Sequence, residues 1–121
     1  MSTLHLAKQL QDRTKKFAIC IIKAFARLPK DEATRIIGRQ FLRSGTSLAA
    51  NYRACCRARS GADFISKISV VVEEADETLF WLELLVESEL IKPSIVQSLM
   101  SECEELLKIG SASLATAKRN R

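Results

Sequence analysis

The stretch from Asp31 to Ser60, DEATRIIGRQFLRSGTSLAANYRACCRARS, contains no proline and two isolated glycines. Wound at about 100° per residue, it sorts its side chains into two opposed stripes. Ile37, Phe41, Leu48, Tyr52, Cys55 and Cys56 share an arc of roughly 100°, with Leu42 and Ala49 at its edge. Arg35, Arg39, Arg43, Arg53 and Arg57 occupy a second arc about 80° wide, centred roughly 140° from the first. A continuous helix over this stretch would be about 45 Å long, longer than most globular helices. Such a sorted segment is expected to form a principal stave of a helical bundle.

Charge divides along the chain. Residues 1–60 hold 13 Lys/Arg against 3 Asp/Glu, whereas residues 61–121 hold 6 against 11. A net +10 followed by −5 points either to a polyanionic partner or to neutralisation of one half by the other. With 121 residues, 47% of them apolar and 27% charged, the chain is expected to form one ordered domain with its own core. No apolar run approaches the roughly 20 residues of a membrane span. The N-terminus lacks a secretory apolar segment, so the expected location is cytoplasmic.

Four helices are predicted, at about 3–27, 31–59, 62–89 and 93–117. In the first, Leu6, Leu10, Phe17, Ile21, Ala24 and Leu28 share a face. Pro29 ends it by forcing Leu28 out of helical geometry. Asp31 or Lys30 opens the second, where Gly38 and Gly45 lie near the apolar face and point to a closely approaching neighbour. Ser60 or Gly61 caps the third. There Ile65, Ile68, Val72, Ala75, Leu79, Leu82 and Val86 recur at spacings of 3 and 4, widened by Phe64, Val71, Thr78 and Leu85. Phe80, Trp81 and Leu84 point away from that seam and are the expected oligomer interface. Pro93 starts a fourth helix carrying Val96, Leu99, Cys103, Leu106 and Gly110. The architecture is all-α, an antiparallel up-down-up-down four-helix bundle.

No catalytic constellation is legible. The single histidine, His5, stands near the end of the chain, so no Ser-His-Asp set can be assembled around it. The glycines of IIGRQFLRSGTS sit inside a helical pattern, unlike a phosphate loop. Cys20, Cys55, Cys56 and Cys103 form no C-x-x-C pair, and the adjacent Cys55 and Cys56 are expected to be small buried hydrophobes. Glu73, Glu74, Asp76 and Glu77 lack the E-x-x-H partners of a di-metal bundle and are expected to be solvated or paired with arginine. The chain is thus expected to be no enzyme, with no cofactor or metal. Its main functional signal is Arg35, Arg39, Arg43, Arg53, Arg57 and Arg59 with Lys67, which could grip the phosphates of RNA or DNA without reading sequence. The alternative is an interaction module whose arginines pair with acids of the third helix, in one subunit or across a boundary.

Three blocks carry a resemblance: RQFLRSGTSLAANYR at Arg39–Arg53, CRARSGADFI at Cys56–Ile65 and EEADETLFWLELL at Glu73–Leu85. Together they closely resemble the bacterial 23S rRNA intervening-sequence protein family, and the likeness covers nearly the whole chain. It implies a left-handed up-and-down bundle that assembles as a homopentamer. The accessory protein of diversity-generating retroelements looks like a relative, and that resemblance implies a nucleic acid and a reverse transcriptase or other nucleic-acid enzyme as partners. Many members carry an acidic residue and a glycine where this chain has Ala54 and Cys55. The arginines at 39, 43, 53, 57 and 59 match the family's pattern.

Overall fold

The computed structural model describes residues 3–121, with side chains from residue 5 onward. It is a bundle of α1 (Thr3–Ala26), α2 (Glu32–Cys55), α3 (Gly61–Glu87) and α4 (Pro93–Arg119). Each helix packs extensively on the next, whereas α1 and α4 meet only sparsely and the diagonal pairs do not pack directly. The connections are residues 27–31, 56–60 and 88–92. Five extended residues reach at most about 18 Å, half the roughly 36 Å of a 24-residue helix, so consecutive packed helices run in opposite directions.

Local chemistry sets the helix ends. Asp31 caps α2, its carboxylate accepting from the Thr34 amide at 3.1 Å and the Thr34 hydroxyl at 3.0 Å. Ser60 caps α3 by accepting from the Asp63 amide at 3.1 Å, and Asp63 reaches back to the Arg59 amide at 3.0 Å. The α2 helix stops at Cys55, short of the expected Arg59: the amides of Arg57 and Ala58 turn back to the carbonyls of Ala54 and Cys55. Cys56 is consequently exposed at the helix end, not buried as its place in the apolar arc suggested. At the far end of α3, Glu89 adopts φ 62° and the Leu90 amide bonds to the Leu85 carbonyl at 3.1 Å. This is a Schellman stop with glutamate where glycine is usual.

The core follows the apolar arcs with two shifts. Phe17, Ile21, Ala24 and Leu28 of α1, and Val96, Leu99, Cys103 and Leu106 of α4, are buried as their spacing requires. Leu6 is 52% exposed, because at its level the antiparallel α2 has already ended. In α3 the deepest line runs through Ile68, Val71, Ala75, Thr78, Leu82 and Leu85, while Ile65, Val72, Leu79 and Val86 are half-buried. The stripe has rotated because α3 is flanked by both α2 and α4 and must divide its face between them. Gly38 and Gly45 are the contact points of α1 and α2. A β-carbon at Gly38 would stand 2.7 Å from Leu28 Cδ1, and one at Gly45 would stand 2.8 Å from Ile21 Cγ1.

Candidate nucleic-acid interface

Ser44 and Thr78 fix the register of α2 against α3. Their buried hydroxyls lie 2.7 Å apart in a hydrogen bond, and the Thr78 hydroxyl also reaches the Glu74 carbonyl at 2.7 Å. Beside Ser44 on the outer side, Arg43 donates to Glu77 Oε1 at 2.7 Å and to Glu74 Oε2 at 3.2 Å. Glu74 is only 8% exposed, so this guanidinium is the partner that makes its burial tolerable. The same hydrogen bond, with a second from Trp81 Nε1 at 3.2 Å, holds the Glu77 carboxyl below its ordinary range.

The basic residues therefore part company. Arg43 is committed to α3. Arg35 lies half-buried with its guanidinium 5.7 Å from the centre of the Phe25 ring, tied to α1 by a cation–π contact. Lys67 grips both oxygens of Asp63 at 2.6 and 2.7 Å, and it is the main reason that carboxyl is also depressed. Arg59 lies close enough to Asp63 to add to that depression. Arg39, Arg53 and Arg57 remain exposed with no ion pair to any described residue. Arg39 and Arg53 look outward from α2, and Arg57 stands in the turn just beyond its end. The single strip expected over Arg35–Arg57 is thus a set of separate positions, because α2 ends early and its two neighbours draw in the arginines at its flanks.

The expected oligomer patch divides as well. Phe80 is 52% exposed, but Trp81 and Leu84 are half-buried. Trp81 packs on the core and meets Phe80 edge to face, with ring centres 5.0 Å apart. Two features escaped sequence reasoning. Arg13 makes a bidentate pair with Glu102, both bonds 2.7 Å, across the thinly packed α1–α4 side. Thr14, Thr34 and Ser44 are buried polar groups that an apolar periodicity passes over, whereas Thr78 is buried as its place in the widened α3 stripe implied. Burial pushes the Cys55 thiol up to about 11 and the Cys103 thiol up to about 12, so neither is poised as a nucleophile. Among the described residues, no three His, Cys, Asp or Glu side chains are grouped to hold a metal, and no helix is long and apolar enough to cross a membrane.

The model for the 23S rRNA-intervening sequence protein family matches residues 8–112. The chain belongs to that family. A crystal structure of a Bacteroides thetaiotaomicron protein, described as of unknown function and from the S23 ribosomal protein family, superposes on it with a TM-score of 0.79. The two are 35% identical, and the match spans 86% of this chain and 96% of that one. No curated protein matches the chain. As a 23S rRNA-intervening sequence protein it shares the helical-bundle fold of that family.

Proposed function

We propose that this 23S rRNA-intervening sequence protein is a non-catalytic, oligomeric bundle that binds RNA or DNA without strong sequence preference. The observation that carries the reading is that Arg39, Arg53 and Arg57 stay exposed, with no ion pair to any described residue, although the second half of the chain is acidic. Within α2, Arg39 and Arg53 are 14 residues apart, about 21 Å of helix, a span that suits several successive phosphates. An oligomer would repeat that spacing and add avidity.

The competing reading is an interaction module with structural arginines. It is favoured at one position: Arg43 serves the fold, and does so inside one chain. A test must therefore leave Arg43 alone. Fluorescence anisotropy with a mixed-sequence RNA oligonucleotide should report binding that falls roughly twentyfold between about 50 and 200 mM salt, as three released counterions per site require. Arg39→Glu, Arg53→Glu and Arg57→Glu together should remove the binding while the helical signal is kept. A parent protein that ignores both RNA and DNA at low salt would leave only the interaction module.

A further inference from the structure

The loosest seam of the bundle lies between its first and last helices. Where α1 and α4 pack sparsely, a cleft of about 450 Å³ opens between them. Its floor is apolar, made of Phe17, Ala24 and Leu99, with Ile95, 40% exposed, along the α4 edge. The bidentate Arg13–Glu102 pair spans one end. From Arg13 to Arg27 the α1 rim runs 14 residues, about 21 Å at helical rise. Along it Lys16, Lys23 and Arg27 stand exposed, and none has a salt bridge to a described residue. The acid lining the cleft, Glu102, is already held by Arg13. The fold thus leaves three cations unneutralised beside an apolar floor.

We propose that this cleft docks an acidic amphipathic helix of a different protein. A groove between two helices takes a third helix with its apolar face down, and the charges on the rim select which one. Lys16 and Lys23 are seven residues apart and Arg27 a further four, so the three cations recur at the period of a helix. Acids at the same separations on the partner meet all three. Side chains on the partner's adjoining stripe reach the floor past Cys20, the small residue between Lys16 and Lys23 on that rim. A nucleic-acid backbone would satisfy the cations and leave the floor uncovered. A single anionic head group would leave most of the cations unmet. The cleft shares no residue with Arg39, Arg53 and Arg57, so a helix bound there leaves those arginines to a polyanion. The inference therefore goes beyond the proposed function and does not depend on it.

The probe is a fluorescein-labelled synthetic helix of about 18 residues, long enough to cover the cleft. It carries glutamates spaced as the three cations are, a phenylalanine between the first two, and leucines on the adjoining stripe. Titrated with the full chain at low salt, its anisotropy should rise to saturation, and a scrambled peptide of the same composition should bind about tenfold more weakly or worse. Lys23→Glu with Arg27→Glu should weaken binding by about tenfold or more at unchanged helicity. A peptide with lysines in place of the glutamates should then bind that variant better than it binds the parent. Ile95→Gln, an exposed position, should weaken binding several-fold through the apolar edge alone. Equal binding of the ordered and scrambled peptides overturns the proposal, because it reduces the cleft to a patch of charge. So does a parent chain that ignores the peptide, and so does binding that survives the charge reversal. Should that reversal instead dissociate copies of the chain or abolish RNA binding, with the peptide ignored, the cleft belongs to a second copy or to nucleic acid and the proposal falls.

Discussion

At the scale of single residues, Gly38 and Gly45 do one job under different constraints. An alanine at either site would gain about 1 kcal/mol of helix propensity. At Gly45 the added methyl meets Ile21 Cγ1 at 2.8 Å with Cδ1 and Cγ2 both at 3.0 Å, and that β-branched side chain is fully buried. It has no free rotamer to retreat to. Gly45→Ala should therefore destabilise by about 1–2 kcal/mol net. Gly38→Ala meets the flexible tip of Leu28 and should cost less; denaturant melts of both variants check the order. Arg43 and Arg39 make a second contrast, since the two looked equivalent in the sequence. Arg43→Ala strands the buried Glu74 and should lose about 1–2 kcal/mol, held down by the arginine's own half exposure. Arg39→Ala should stay within about 0.5 kcal/mol. Equal losses would mean that the Arg43 pairing contributes nothing to stability.

At the scale of elements, boundaries hold most of the difference between pattern and fold. The periodicity of α2 runs on into Arg57, yet the chain turns at Cys56 because Ser60 and Asp63 jointly cap the following helix. That removes Arg57 from the helical face and exposes one thiol. The end of α3 had no glycine to announce it; Glu89 takes the left-handed conformation, and half-buried Leu90 packs on the core beside it. Relieving that backbone position by Glu89→Gly should stabilise the protein by about 0.5–1 kcal/mol. Thermal unfolding should then move up by roughly 2–5 °C. An unchanged or lower Tm would show that glutamate is not strained there. The α3 seam was legible as apolar but not in its rotation, which depends on how two neighbours divide it.

Across the whole molecule, the acidic half is only partly spent on the basic half. Glu77 is held below its ordinary range first by Arg43, and Asp31 and Asp63 are depressed by the Thr34 amide and by Lys67 respectively. Their folded pKa values lie below the unfolded ones of about 3.9–4.3. The stability they supply is fully present above that range and is lost as pH falls through the folded values. The Tm should thus drop between about pH 5 and pH 3, with a shallower drop for Arg43→Ala, whose Glu77 loses the largest cause of its depression and keeps the Trp81 hydrogen bond. The same slope in both proteins would count against the Arg43 linkage.

Spacing within the chain determined that there are four helices, which apolar residues of α1 and α4 face inward (Leu6 excepted), and that glycines mark the α1–α2 contact, because periodicity and packing volume are local properties. The three family blocks were likewise legible as linear strings. Only the tertiary structure decided which arginines are spoken for. A guanidinium's partner lies on another helix, tens of residues away, and its identity follows from the α2–α3 register that Ser44 and Thr78 lock. The same holds for the α1–α4 cleft, which arises because those two helices, the chain's outermost, meet so sparsely along their shared side.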